Sequence, residues 1–446
     1  MKKLATLLLA AGMVVATSAP ASAVDVKMDG EYTFTFITGE YFGSGDNFDR
    51  IGQRFRLGMT FTASEDLSGY VQLQAGIDAE DDTIYDWGTS NNAKTKLGVR
   101  QAYIDWMIPN TTVKVRMGKQ LFGLPFDAMG KCVLMGPNLN SRDGIVLTSP
   151  VTDWLDMTAF WVRANYVNSE TADNDTSRAN KSDLFAVTGN MKFDGFTISP
   201  YVMYGSLDEK ATLPGSSDGN IKGSGNAYWF GASATLNYFD PFVMKLSGAY
   251  GMINYDRFDD PAVNWNDRSG WYMQAKASYT TSFGTPILAA WYGSGDDSDA
   301  QYQYQNWIPT NGGRFHPTFG FCAGQSGLYN PTSRHNIAGT WGVQTGIENV
   351  SFLEDLTHTF TVTLFKGTNN SEQTNKYNVN PYTYMSYSDT AVEFDIDSIY
   401  NIYKNLSARL QLAYIINDFD ESDHTAYKGT MDKDGWNASL TLSYKF

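Results

Sequence analysis

From Trp436 to Phe446 the chain alternates without interruption. Trp436, Ala438, Leu440, Leu442, Tyr444 and Phe446 fall on one side, and Asn437, Ser439, Thr441, Ser443 and Lys445 on the other. Side chains of an extended strand point alternately to opposite faces, so this is a strand with one apolar and one polar face. The same period recurs upstream. Leu406, Ala408, Leu410, Leu412, Tyr414 and Ile416 oppose Ser407, Arg409, Gln411 and Asn417. Tyr228, Phe230, Ala232, Ala234 and Leu236 oppose Gly231, Ser233 and Thr235, and Phe55, Leu57, Met59 and Phe61 oppose Arg54, Arg56 and Thr60. Rings sit near the ends of these apolar rows, where a membrane would place its headgroups.

Composition then separates a membrane barrel from a soluble sandwich. Aromatic residues make up 14% of the chain, yet the mean hydropathy is −0.33. Strands that are half apolar and half polar give such an average while still presenting a lipid-facing wall. The connections also sort by length. Short turns are expected at Glu65–Gly69, Pro109–Thr111, Phe193–Phe196, Phe239–Phe242, Ser282–Pro286 and Lys404–Leu406. Long polar loops lie between them, at Glu80–Lys94, Val167–Lys181, Ser206–Asn226, Asp256–Arg268, Gly295–Thr332 and Thr368–Ser388. Tight turns on the periplasmic rim and long extracellular loops on the other are the plan of an all-β, antiparallel transmembrane β-barrel. The up–down count gives roughly 18 strands, with about 16 as the alternative; the strands flanking Pro150 and Glu348 are the least distinct. A barrel of that size leaves room for an aqueous lumen.

Residues 1–23 read as a secretory signal: Lys2 and Lys3, an apolar run from Leu4 to Ala16, and Ala21-Ser22-Ala23 as a small-residue cleavage site. Residues 24–446 then form a single barrel, with no linker or compositional break. Lys and Arg number 33 against 48 Asp and Glu, a net charge of −15 that offers nucleic acid no surface. Two cysteines, Cys132 and Cys322, exclude a disulfide-stapled scaffold and leave open whether they pair.

Three groups of residues stand out as functional candidates. The segment 121–143 is rich in Gly, Pro, Leu and Met, and its few charges are Asp127, Lys131, Arg142 and Asp143. So apolar a loop is expected to fold inward and narrow the lumen; an extracellular lid or a subunit contact is the alternative. Basic residues gather on the polar faces of early strands: Arg54 and Arg56, then Lys114 and Arg116. Arg100 breaks the phase, since Leu97 and Val99 define one face while Ala102, Ile104 and Trp106 continue on the other parity. Either a bulge near Gln101 resets the register, or this strand faces another subunit. Glu393, Asp395 and Asp397 are expected to be lumen acids that favour cations, opposed by Lys245, Lys276 and Arg409. The acidic clusters at Glu80–Asp82, Asp256–Asp260, Asp296–Asp299 and Asp418–Asp423 read as solvated loops, none with the spacing of a calcium site.

The signal segment, the alternation and the terminal strand ending in Phe446 resemble the trimeric general-diffusion porins of Gram-negative outer membranes. The resemblance implies a homotrimer in the outer membrane, passing small polar solutes and ions by passive diffusion. It also implies that loop 121–143, the third long loop, is a constriction carrying Asp127. Facing it would be a cationic wall of Arg54, Arg56, Arg100 and Arg142, with Lys114 and Arg116 beside them by strand parity. Leu442, Tyr444 and Phe446 match the terminal signal read in that family by the barrel-assembly machinery.

Two rivals remain. A sugar-type specific channel could use Tyr302, Tyr304, Trp307, Phe315 and Phe319 as an aromatic track, although packing within their own loop is the simpler role for these rings. An enzyme would need a nucleophile and base beside one of four histidines, His316, His335, His358 and His424, and no partner is evident from spacing. No metal-ligand pattern occurs, so neither catalysis nor a cofactor is expected.

Overall fold

Each alternating segment becomes a strand paired with its neighbours in sequence. A computed structural model describes residues 24–42, 45, 47–76, 96–125, 128–129, 141–166, 181–207, 224–255, 267–301, 304–309, 318, 320, 339–377, 381, 384–429 and 431–446. The first six strands are β1 (Asp25–Glu40), β2 (Asn47–Ser64), β3 (Leu67–Gly76), β4 (Lys96–Met107), β5 (Lys114–Gln120) and β6 (Arg142–Thr152). Next come β7 (Leu155–Tyr166), β8 (Lys181–Phe193), β9 (Phe196–Leu207), β10 (Gly225–Leu236), β11 (Phe242–Tyr255) and β12 (Arg268–Tyr279). The last six are β13 (Thr285–Gly293), β14 (Thr340–Leu353), β15 (Leu356–Gly367), β16 (Thr390–Tyr403), β17 (Leu406–Asp418) and β18 (Gly435–Lys445).

All belong to one antiparallel sheet of 18 strands, the larger of the two expected counts. It closes where β1 pairs with β18, from Glu31 opposite Lys445 to Glu40 opposite Trp436. Gly30 and Phe446 exchange two backbone hydrogen bonds of 2.8 and 3.0 Å at the seam. Closure pairs every strand on both sides, as hydrocarbon requires, because an open edge would leave backbone groups without partners in lipid.

The outer face is the apolar row read from sequence: Leu410, Leu412, Tyr414, Leu440, Leu442 and Tyr444 all project outward and are exposed. The expected turns all fall on one rim. Two further turns, at Asp153-Trp154 and Glu354-Asp355, lie beside the two indistinct regions and complete the count. Pairing is irregular just there: Pro150 opposes Asp156 and Thr152 opposes Leu155, while β14 and β15 shift register twice. Asp355 sits at φ 64° and Gly195 at φ 65°, the left-handed conformation that tight turns demand.

On the opposite rim three connections matter for the lumen. They are called L3 (121–141), L7 (294–339) and L8 (368–389), and L8 carries a short helix, α1 (Ser371–Tyr377). Among the described residues no helix is long and apolar enough to cross a membrane; the strands do so.

Candidate functional site: the inner wall and its loops

Register decides which charges meet inside the barrel. β2 turns Arg54 and Arg56 inward, and β3 sets Gln74 directly opposite Arg56, whose Nε donates to Gln74 Oε1 at 2.8 Å. Arg54 Nη2 reaches Glu31 Oε2 at 3.4 Å across the β1–β2 ladder. On β4 the phase break is a bulge. Gln72 opposes Gln101 while Leu73 opposes Val99, so Arg100 is the extra residue. Arg100 and Gln101 are therefore both buried inside, 7% and 8% exposed, whereas Val99 and Ile104 reach lipid at 44% and 51%. Their side chains share one acceptor: Arg100 Nη1 and Gln101 Nε2 donate to Gln72 Oε1 at 2.8 and 3.0 Å. The bulge reading holds, and no subunit contact is needed to explain Arg100.

Lys114 and Arg116 do not form a free positive wall. Asp105, inward on β4, sits opposite Arg116 and binds it through two hydrogen bonds of 2.6 and 2.7 Å, with Lys114 Nζ at 2.8 Å. The expected acids are similarly engaged. Asp397 accepts a forked pair from Arg409, one bond at 2.8 Å, and Asp395 accepts from Thr361 at 3.2 Å. Glu393 is 0% exposed and accepts the amide of Gly320 in L7. Lys276 with Glu348 at 2.7 Å and Lys192 with Asp156 at 2.6 Å extend the pattern. The lumen thus carries cross-strand ion pairs, which largely cancel one another's field, and Arg56 and Arg100 donate to the amides of Gln74 and Gln72. Arg142 heads β6, and its Nε is buried without a hydrogen-bond partner among the described residues. Asp127 lies outside the described residues, as do Cys132 and Cys322.

L3 does fold inward. Phe122, Leu124 and Ala128 are buried, and Ala128 N donates to Ser247 Oγ on β11 while Met129 N donates to Gln274 Oε1 on β12, both at 3.1 Å. These bonds carry the loop from its root at β5 to the far side of the ring. L7 folds inward as well, which sequence reading missed. Trp229 Nε1 on β10 donates to Pro309 O at 2.8 Å, and Ser269 N on β12 donates to Gln305 O at 3.0 Å. The two loops press onto an inner wall that is not polar along β7–β13. Phe160, Leu184, Met203, Trp229, Tyr272 and Trp291 all point in and join one apolar cluster with Phe122, Leu124, Trp307 and Ile308. Inward apolar residues here fell on the face expected to be wetted; loop packing covers them.

The fate of the aromatic loop follows. Tyr304 and Trp307 are 6% and 3% exposed and pack on each other and on Tyr384, so their faces cannot serve as a sugar track. Tyr302, Phe315 and Phe319 lie outside the described residues. Among the described residues, Tyr70 and Tyr103 lie on the inner wall 5.2 Å apart and outside that apolar cluster, with the Arg116 guanidinium 4.0 Å above Tyr103. Strand parity could have found both, since each lies in phase with an inward polar residue, Gln72 and Asp105.

Asp296 corrects the solvated reading of its cluster. It is 0% exposed and accepts hydrogen bonds from Tyr304 N, Asn306 N and Tyr384 Oη at 2.6, 2.8 and 2.5 Å. Burial pushes its carboxyl above the usual range, opposed by those hydrogen bonds and by Arg268. A carboxyl raised in the folded state contributes stability that is fully present below its unfolded value, about 3.9, and is lost as pH rises through the folded one. Protection factors of the described amides within 294–309, with rates corrected for their intrinsic pH dependence, are therefore expected to be higher near the acid end of that window than at neutrality. Asp296→Asn should flatten the difference; an unchanged pH trend would contradict it.

Two histidines have partners that spacing did not suggest. His424 is 2% exposed, not a surface residue, and its Nε2 lies 2.7 Å from Asp389 Oδ2. His358 Nδ1 lies 2.8 Å from Ser398 Oγ. His316 and His335 lie outside the described residues. Among the described residues no group of His, Cys, Asp or Glu could hold a metal ion.

The chain matches the family model of Gram-negative porins over residues 8–314. No curated protein sequence matches it. Solved structures that share its fold include OccK2 (OpdF) of Pseudomonas aeruginosa, at 12% identity and a TM-score of 0.58, covering 95% of this chain and 98% of that one. OccAB2 of Acinetobacter baumannii is 14% identical, with the same coverage, 95% and 98%, and a TM-score of 0.56. P. aeruginosa OpdK, solved with vanillate, is 12% identical at a TM-score of 0.56, again with 95% and 98% covered. A closed ring of 18 strands, a lipid-facing apolar wall and a family match over most of the chain agree: the chain belongs to the Gram-negative porin family, as an outer-membrane channel for small solutes.

Proposed function

We propose that solutes cross by passive diffusion through an eyelet bounded by L3 and the inner wall of β2–β6. The observation that supports this is L3 itself, whose backbone amides donate to the side chains of Ser247 on β11 and Gln274 on β12, away from its root. Arg56, Arg100 and Arg142 line the near side, with Asp127 as the acid of the loop. Because Arg54, Lys114, Arg116 and Asp397 are paired with opposite charges, the ion preference of the eyelet is weak. Asp105→Asn should shift the reversal potential toward anions, since Arg116 and Lys114 lose their carboxylate. Bilayer recording in a salt gradient reads this directly, and a shift toward cations would refute it.

Residues 1–23 act as the export signal, and Leu442, Tyr444 and Phe446 as the sequence handed to the barrel-assembly machinery. The working form is a homotrimer, which single-channel records would register as closures in three equal steps.

A second reading, a substrate-selective channel, is favoured by Tyr70 and Tyr103 beside Arg116 and below Arg100. Ring faces next to guanidinium groups suit a flat aromatic acid, and a fold relative was solved with vanillate. Saturable block of ion current by vanillate, lost in Tyr103→Ala, would favour selectivity; unaltered current would leave general diffusion.

A further inference from the structure

The outer wall has a recess that the alternation alone does not explain. Transverse rows of side chains can be followed across β6–β10 by register. In one row Ile145 is followed by four aromatic residues, Trp161, Phe185, Tyr204 and Tyr228, side by side. Phe185 and Tyr204 lie 6.3 Å apart and Tyr204 and Tyr228 5.3 Å apart, so the rings form a continuous shelf. On its periplasmic side the next row is Leu147, Ala159, Val187, Val202 and Phe230, short in the middle and tall at the end. Short side chains beneath a ring shelf leave an apolar recess of about 640 Å³ open to the lipid side.

The row beyond the shelf is polar. Arg163 is held by Asp183 through two hydrogen bonds of 2.9 and 3.0 Å, with its guanidinium 5.5 Å from the Trp161 ring. Ser206 and Asn226 continue that row, and Tyr204 Oη donates to Asn226 at 2.6 Å. Polar groups, then rings, then apolar surface is the order of a leaflet from headgroup to acyl chain.

We propose that this recess binds one acyl chain of an extracellular-leaflet lipid, whose polar head rests on the Arg163–Asn226 row. The recess is continuous with the lipid-facing wall, so its occupant comes from the bilayer. A second barrel presents a convex wall, which would meet the rings first and leave the recess unfilled. A flexible chain follows the concave surface and recovers the dispersion contacts that an empty groove forfeits. The bound lipid would exchange more slowly than its neighbours.

Native mass spectrometry of the protein extracted from membranes in mild detergent tests this. The wild type is expected to retain one lipid per barrel, and Ala159→Phe, which fills the floor, to retain about tenfold less. Ala438→Phe, on the outward row of β18 and away from the recess, should retain as much as the wild type. Conductance should be equal in all three, which shows that each barrel is folded. Equal lipid retention by Ala159→Phe and wild type would overturn the proposal. So would a fall in oligomer size for Ala159→Phe without lipid loss, which would give the recess to a second copy. Val202→Trp fills the same floor from β9 and repeats the test should Ala159→Phe fail to assemble.

Discussion

Gly270→Val is expected to release L7 from the inner wall and raise single-channel conductance about twofold or more, because conduction follows the open cross-section. Gly270 lies under the loop, where a Cβ would stand 2.5 Å from both Asn306 O and Ser294 Oγ and against Ile308 N. Two of those three atoms are backbone, so no rotamer change relieves the clash. Overpacking of this kind costs typically about 1–3 kcal/mol. Gly270 pairs with Gly251 on β11, and β12 pairs with β13 from Tyr272 onward, so the strand is the stiffer partner. The loop should move first, breaking the Ser269–Gln305 bond and exposing Trp307 and Ile308. The measurements are conductance together with protease cleavage within 294–339. Gly248→Ala is the control, since its Cβ would meet ordinary contacts of 3.8 Å. Unchanged conductance with a cleaved loop would show that L7 does not limit the pore.

Deleting Arg100 should leave a folded barrel with a shifted reversal potential, whereas deleting Val99 should impair assembly. Arg100 is the surplus residue of its bulge. Without it, Val99 stays outward, Gln101 stays inward, and β4 pairs with β3 as a regular ladder. The lumen loses one guanidinium and becomes more cation-preferring. Without Val99, either Arg100 takes the lipid-facing slot opposite Leu73, or the register above it slips and turns Leu97 inward. An arginine in lipid costs up to about 2–4 kcal/mol at mid-depth, less toward the headgroups. Heat-modifiable gel mobility reports assembly, and salt-gradient recording reports selectivity. Equal assembly of the two deletions would remove the bulge from the explanation.

Much of the scaffold was legible from local pattern. Parity along β17 and β18 gave the outer face residue by residue, and loop lengths gave the rim on which each turn lies. The phase break at Arg100 was visible as a conflict between Val99 and Ala102, and L3 was betrayed by its poverty in charge. The failures share a cause. Asp105 and Arg116 belong to one strand pair, yet their meeting depends on a register that the intervening turn sets to a single residue. Trp229 and Tyr272 occupy lumen-facing positions, and only the descent of L3 and L7 onto them makes an apolar inner wall tolerable. Asp296 sits in a run of acids that any composition rule would leave in water, and it is buried because Tyr384 from L8 closes over it.

What the sequence determined by itself is therefore the tube: the two-residue period is local, and lipid leaves closure as the one way to pair every backbone group. What tertiary structure decided is the hole through the tube. Which charges cancel depends on the register between strands, and which rings are packed and which face the path depend on loops meeting distant walls, as Ala128 meets Ser247 at a separation of 119. Such contacts are fixed by shape and hydrogen bonding between distant segments, and no periodicity along the chain records them.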